Sequence, residues 1–149
     1  NPAAHAPDLA EARDLRLVMS GGAMGRMQSA MPGGERIGFR QLAQAGKIWA
    51  LNDVAEMTDT PLAALSLNEP VRLKIENQTV FPHAMHLHGM HFRELRPDGA
   101  FGPMRDTILL AGNESREIAF TADNPGKWLF HCHMLSHAAS GMTTWMRVT

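Results

Sequence analysis

The sequence lacks several features that would assign it to common protein classes. Its 149 residues include a single cysteine, so an internal disulfide cannot form, and they include no tyrosine. No apolar run approaches the roughly 20 residues of a membrane-spanning helix. The formal net charge is −1, so the chain has no excess of basic residues. Binding to nucleic acid or to an anionic membrane surface requires such an excess. We therefore expect a globular domain whose partners include neither nucleic acid nor membrane.

The first residues differ in composition from the rest of the chain. Residues 1–13 combine proline, alanine and charge without apolar periodicity, and they show neither the basic nor the apolar region of a signal peptide. This composition predicts an arm or interdomain linker over residues 1–13, followed by one domain over residues 14–149.

Alternating apolar residues predict that this domain is built from strands. Val71, Leu73 and Ile75 alternate with polar residues, which is the pattern of a strand with one buried face. Turn signals stand between the segments, for example at residues 97–99 and 124–126. Further strands are expected over residues 14–19, 48–51, 91–95, 107–110, 116–121, 127–132 and 143–149. Such a succession of short strands predicts an all-β sandwich or barrel.

The most informative segment lies near the C-terminus, where the only cysteine is flanked by histidines. Cys132 stands between His131 and His133, and His137 and Met142 follow. Two histidines and a cysteine in a trigonal plane, with a weak axial methionine, are the ligands of a blue-copper electron-transfer site. The segment therefore predicts a bound copper ion.

A second motif supplies further imidazoles. His83, His86 and His88 fall within one short segment that ends in a glycine. Because alternate residues of a strand face the same side, His86 and His88 share one face, and His131 and His133 share one as well. Each motif therefore offers a pair of imidazoles that can hold a metal at the edge of the domain.

The same alternation sends Cys132 to the opposite side of its strand. There it faces the interior of the domain, where His83, His137 and Met142 can join it. The spacing thus predicts two metal sites, one inside the domain and one at its edge, with the backbone around Cys132 as a covalent bridge between them.

These motifs resemble those of the C-terminal, third cupredoxin domain of bacterial laccase-like multicopper oxidases. They read His-x-x-His-x-His-Gly over residues 83–89 and His-Cys-His-x-x-x-His-x-x-x-x-Met over residues 131–142. The resemblance extends over residues 14–149 and implies a Greek-key β-sandwich or barrel of the cupredoxin type with copper as its cofactor. It assigns His83, Cys132, His137 and Met142 to type 1 copper, His86 to type 2 copper, and His88, His131 and His133 to type 3 copper.

The resemblance also implies an activity. In that family the type 1 copper takes electrons singly from a reducing substrate, which here would be a phenol, an aromatic amine or a metal ion. Electrons then pass through Cys132 and the flanking His131 and His133 to a trinuclear copper cluster, where O₂ is reduced to water. A periplasmic or secreted location is implied as well.

A partner follows from the same resemblance. The family builds its trinuclear cluster from the histidines of two domains, and this chain supplies one half of them. The resemblance therefore implies association with the N-terminal cupredoxin domains of the same oxidase or with a second copy of the chain. A stand-alone blue-copper electron-transfer protein is the alternative, although such a carrier would have no use for the outer histidines.

Two further candidate sites each have two interpretations. Met24, Met27 and Met31 lie in a glycine-rich segment expected to be a loop, and they either bind Cu(I) through their thioethers or pack against a neighbouring domain. Asp106 either accepts a hydrogen bond from a ligand imidazole or is a solvated loop carboxylate. Trp49 is expected to belong to the hydrophobic core.

Overall fold

A computed structural model describes residues 6–22, 27, 29–31 and 35–149 of the chain. Strands provide most of the regular structure in these residues, and no helix among them is long and apolar enough to cross a membrane. The strands are β1 (Arg13–Gly21), β2 (Ser29–Ala30), β3 (Ile37–Gly38), β4 (Trp49–Leu51), β5 (Ala63–Leu65), β6 (Pro70–Asn77), β7 (His83–Leu87), β8 (Phe92–Leu95), β9 (Phe101–Arg105), β10 (Thr107–Leu110), β11 (Ser115–Thr121), β12 (Gly126–Cys132) and β13 (Thr143–Val148). The helices are α1 (Phe39–Gln44) and α2 (Leu135–Ala139).

The strands form two large sheets and a small hairpin. One sheet has the order β4-β1-β6-β11-β8-β9, the other has the order β10-β7-β12-β13-β5, and β2 pairs with β3. Within the large sheets, β1 runs parallel to β6 and β13 parallel to β5, and the other neighbours are antiparallel. The prediction of an all-β fold is confirmed.

The hydrophobic core lies between the two large sheets. Val71, Leu73 and Ile75 of β6 are fully buried, because alternate residues of this strand face the core. Leu87 of β7 and Phe130 of β12 join them from the opposite sheet. The strands that carry the histidine motifs therefore pack on the core through one face and leave the other face free for a site.

Helices α1 and α2, strand β9 and the β2–β3 hairpin were not predicted from the sequence. The two helices and the hairpin strands have too few residues to show a periodic pattern, and the hairpin begins inside the segment expected to be a loop. Strand β9 contains a glycine followed by a proline, a pair that is typical of turns. Met27, Ala30 and Leu42 from this region form a second, smaller core cluster. This cluster includes one of the three methionines of the glycine-rich segment.

An ion pair between β1 and β6 makes stability depend on pH. Arg16 donates to both carboxylate oxygens of Glu76 at 3.1 and 2.7 Å, and Lys74 lies 3.2 Å away. The Arg16 hydrogen bond, above all, lowers the pKa of Glu76 from 4.5 to about 2, with a smaller effect of Lys74. Because the carboxyl pKa is lower in the folded state, the ion pair stabilises the fold fully above about pH 4.5 and loses this effect as the pH falls towards 2.

We therefore expect Glu76→Gln to lower the free energy of unfolding by about 1 kcal/mol at pH 7. The effect is this small because the Arg16 side chain is mostly exposed, so water screens the ion pair. The difference from wild type should shrink as the pH approaches 2. Urea titrations at pH 7 and pH 3 measure it, with Glu11→Gln as the control for loss of an exposed carboxylate. A difference that grows on acidification would contradict the assignment.

Candidate metal centre

The two histidine motifs lie on neighbouring strands. In the antiparallel pair β7–β12, Cys132 stands opposite Met85, and His131 stands opposite His86. Cys132 and Met85 are fully buried in the core. Since successive residues of a strand face opposite sides, His131 and His86 lie on the other face of the same sheet. The pair of strands thus separates a buried group of ligands from an outer group.

The buried group brings three side chains together. One potential ligand atom from each of His83, Cys132 and His137 lies within 4.8 Å of the others. The Cys132 Sγ atom lies 3.9 Å from His83 Nδ1 and 3.8 Å from His137 Nδ1, and the two Nδ1 atoms are 3.1 Å apart. Two imidazoles and a thiol around one point are the equatorial donors of a type 1 copper site.

Met142 is tied to this group through its backbone. Its carbonyl accepts a hydrogen bond from the Cys132 N–H at 3.1 Å, and its own N–H donates to the His137 carbonyl at 3.0 Å. Its side chain is fully buried in the same core cluster as Cys132. Helix α2 carries His137 between the two, so the loop from Cys132 to Met142 closes on itself beside the site.

Burial sets the protonation of the inner ligands. It lowers the pKa of His83 to about 4, with help from the neighbouring His137, and it also lowers the pKa of His137. Both imidazoles are therefore neutral at pH 7 and each has a nitrogen lone pair for a metal. Burial raises the pKa of the Cys132 thiol, so in the metal-free protein the thiol keeps its proton. A metal must displace that proton to bind the sulfur.

The outer group consists of imidazoles alone. The ring of His86 lies 4.6 Å from that of His88, 5.7 Å from that of His131 and 5.6 Å from that of His133, measured between centroids. The Nε2 atoms of His88 and His131 are 3.0 Å apart. Burial, followed by the neighbouring imidazoles, lowers the pKa of His88. The lowered pKa favours the neutral His88 ring, which can bind a metal, and the four imidazoles approach such a metal from one side only.

Hydrogen bonds place the proton on the same nitrogen in two of these rings. The His131 Nδ1–H donates to the Cys132 carbonyl at 2.8 Å, and the His86 Nδ1–H donates to the Asp106 carbonyl at 3.1 Å. Carbonyl oxygens only accept, so both Nδ1 atoms carry the proton. The Nε2 atoms of His86 and His131 consequently hold the lone pairs, and His131 Nε2 accepts a hydrogen bond from His88 Nε2–H at 3.0 Å that a metal would replace.

Asp106 lies beside the outer group. Its carboxylate is 3.9 Å from His86 Nδ1, while its backbone carbonyl and the Thr107 hydroxyl lie closer to that nitrogen, at 3.1 and 3.0 Å. The carboxylate accepts a hydrogen bond from the Thr107 hydroxyl at 2.9 Å. Asp106 therefore contacts the His86 imidazole directly through its backbone carbonyl, whereas its carboxylate is connected to the ring through the Thr107 hydroxyl.

The methionines of the glycine-rich segment do not share one environment. Met27 is buried with Ala30 and Leu42, whereas Met31 is half-buried and lines a surface cavity. Met24 lies outside the described residues. A Cu(I)-binding role for the three remains a prediction.

Sequence reasoning missed the aromatic neighbour of the buried group. The Trp49 ring, expected only to be part of the core, is 3% exposed and lies 4.8 Å from the His83 ring and 4.9 Å from the His137 ring. Its Nε1–H has no acceptor within the described ranges. The sequence gives no signal for these contacts, since β4 is far from both histidines along the chain.

Comparisons with known proteins agree with this geometry. The family model described as "Multicopper oxidase" matches residues 31–149. The chain is 34% identical over 96 residues to multicopper oxidase MmcO of Mycobacterium tuberculosis, covering 64% of this chain and 19% of that protein. It is 35% identical over 100 residues to copper resistance protein A of Pseudomonas syringae pv. tomato, covering 67% of this chain and 16% of that protein. The chain belongs to the multicopper oxidase family.

The fold of the chain has counterparts in solved structures as well. A multicopper oxidase from Pseudomonas thermotolerans matches 100% of this chain with a TM-score of 0.74 and 27% identity, over 32% of the length of that protein. The predicted cupredoxin-type fold is confirmed. The chain spans less than a fifth of the length of both curated relatives, as one domain of a larger oxidase would. Copper is the cofactor of this family, and the two imidazoles and one thiol of the buried group fit type 1 copper.

Proposed function

We propose that this chain is the part of a multicopper oxidase that accepts electrons from a reducing substrate and delivers them to the site of O₂ reduction. The observation that carries the proposal is the position of Cys132. Its sulfur belongs to the buried group, while both of its sequence neighbours, His131 and His133, belong to the outer group. One tripeptide therefore connects the two sets of metal ligands by covalent bonds.

The inner ligands are assigned first. His83, Cys132 and His137 supply two nitrogens and a sulfur to type 1 copper. Met142 would supply a weak thioether ligand, a role supported by its burial and by its backbone hydrogen bonds to Cys132 and His137. A methionine ligand there would favour a lower reduction potential than an apolar residue at that position.

The outer ligands are assigned next. His86 binds type 2 copper, and His88, His131 and His133 bind type 3 copper. Copper in the inner site supplies one-electron redox chemistry, and copper in the outer site supplies the reduction of O₂ to water. The hydrogen bond from His131 Nδ1 to the Cys132 carbonyl holds this imidazole directly beside the backbone that electrons follow. The missing ligands come from the N-terminal cupredoxin domains of the same oxidase or from a second copy of the chain.

A metal ion is the reducing substrate that the chain favours over a phenol or an aromatic amine. One relative is named for copper resistance. Met31 and Met57 line a surface cavity together with Glu56 and Asp59, so thioether and carboxylate ligands are close together there. Since Lys47 contacts both Glu56 and the Ala139 carbonyl of helix α2, this cavity lies on the side of the molecule that carries His137.

The family resemblance supports a periplasmic or secreted location.

Copper content, optical and spin-resonance spectra and O₂ uptake test the proposal. The chain alone should bind one blue copper, and type 2 copper and O₂ uptake should appear only with the partner domains or a second copy. His133→Ala should remove O₂ uptake from the assembled oxidase and keep the blue band. The absence of a blue band in the wild-type chain would refute the proposal. A blue band without O₂ uptake in every assembly, including the full-length protein, would favour the stand-alone electron carrier.

A further inference from the structure

Buried hydrogen bonds connect His83 to residues that the copper assignment does not use. Thr79 is fully buried, and its hydroxyl lies 2.8 Å from His83 Nε2, the ring nitrogen that faces away from Cys132. The same hydroxyl lies 2.8 Å from Asn77 Oδ1 and 3.1 Å from the Phe81 carbonyl. Asn77 is only 2% exposed. The hydroxyl also accepts the Phe81 N–H at 3.2 Å, so four polar groups meet at one threonine oxygen.

The directions of these hydrogen bonds follow from the available donors. The Asn77 amide donates its two N–H groups to the carbonyls of Phe81 and Ala111, at 2.7 and 2.8 Å. Its Oδ1 is therefore an acceptor, and it also accepts the Thr79 N–H at 3.0 Å. The single proton of the Thr79 hydroxyl goes to Asn77 Oδ1 or to the Phe81 carbonyl, both of which can only accept.

This arrangement determines the tautomer of His83. With its proton committed elsewhere, the Thr79 hydroxyl accepts from His83, so the ring proton is on Nε2. The lone pair is then on Nδ1, which is the nitrogen that faces Cys132 and His137. The opposite tautomer would place a proton where the metal has to bind.

We propose that Thr79 is a positioning residue that fixes the tautomer and orientation of His83, so that Nδ1 is presented to the metal. A hydroxyl that accepts from Nε2–H also makes the imidazole a stronger donor, which favours the oxidised metal. At the outer group the Thr107 hydroxyl lies 3.0 Å from the other nitrogen of His86, its Nδ1, and leaves Nε2 free. The role of Thr79 rests on the proposed function only for the identity of the metal.

Nitrogen-15 NMR of the metal-free chain at neutral pH tests the tautomer without any variant. We expect the proton of His83 on Nε2 and the lone pair on Nδ1. Thr79→Val, which keeps the shape of the side chain but removes the hydroxyl, should give a mixture of the two tautomers, and Thr79→Ser should restore a single one. A proton on Nδ1 in the wild-type chain would overturn the proposal even if Thr79→Val failed to fold.

Copper binding provides the second readout. Thr79→Val should weaken Cu(II) affinity by about 10- to 100-fold in competition with a chelator, and it should raise the reduction potential of the bound copper. Thr79→Ser should stay close to wild type. The matched control is Thr58→Val, because the Thr58 hydroxyl makes the same turn bonds to the residue two positions on, at 3.1 and 3.3 Å to the Thr60 carbonyl and N–H. It is otherwise unconnected to the buried group.

These outcomes separate the two proposals. Wild-type affinity and potential in a folded Thr79→Val would overturn the role of Thr79 and leave the proposed oxidase function intact. An Nε2–H tautomer in a wild-type chain that forms no blue copper would overturn the proposed function, while the hydrogen-bond assignment would stand.

Discussion

Changing Cys132 to serine should abolish the blue absorption of the copper-loaded chain. That absorption arises from charge transfer between a cysteine thiolate and copper, and the sequence contains one cysteine. Serine also places a hydroxyl at a fully buried core position, which costs about 1–3 kcal/mol in the metal-free protein. The optical spectrum and a urea titration of the same samples measure the two effects separately.

Cys132→Ala is the control for the packing contribution. It should lose the blue band just as completely while leaving no buried hydroxyl unsatisfied. Because burial raises the thiol pKa, copper binding by the wild-type chain should also release a proton at neutral pH, and neither variant should release it from this position. Calorimetry in buffers of different ionisation enthalpy counts these protons. A blue band that survived in either variant would refute the ligand assignment.

Gly141→Ala should destabilise the metal-free chain by about 3–5 kcal/mol. Gly141 has a φ of +119°, which disfavours any residue with a Cβ atom. An added Cβ would also lie 2.1 Å from the Trp49 carbonyl oxygen and 2.7 Å from that of Ala55. Relief of this clash must move the segment next to Met142, so copper binding should weaken together with stability. Urea denaturation and chelator competition measure the two losses.

Gly99→Ala separates backbone strain from steric contact. Gly99 also has a positive φ, +82°, but an added Cβ would meet no atom within 4 Å. It should cost only about 1 kcal/mol. If the two variants lost equal free energy of unfolding, the close approach of Gly141 to β4 would not contribute to the effect of Gly141→Ala.

Much of the fold was accessible from the sequence, since the apolar alternation along β6 and the spacing of the histidines around Cys132 depend on neighbours in the chain. Val71, Leu73 and Ile75 show the buried face of β6 directly. The two histidine motifs, together with the period of a strand, led to the expectation of an inner and an outer group of ligands. These are properties that a local sequence pattern can carry.

The surroundings of the ligands were not accessible in the same way. Trp49 reaches His83 and His137 only because β4 and the α2 loop meet in the fold. The importance of Gly141 depends on carbonyl groups that are remote in sequence. The Thr79 hydroxyl acts through a hydrogen-bond geometry that its residue type does not specify. Contacts of this kind require the three-dimensional structure.

The alignment of β12 with β7 has a consequence for function as well as for stability. A slip of one residue between the two strands would turn every side chain of β12 to the opposite face. Cys132 would then point outwards and His131 into the core, and each metal would meet the wrong kind of ligand. In most sheets a mispaired strand loses packing energy, whereas here it would also separate the two groups of side chains that the proposed electron route connects. Correct pairing of β12 during folding is therefore a condition for the proposed electron transfer.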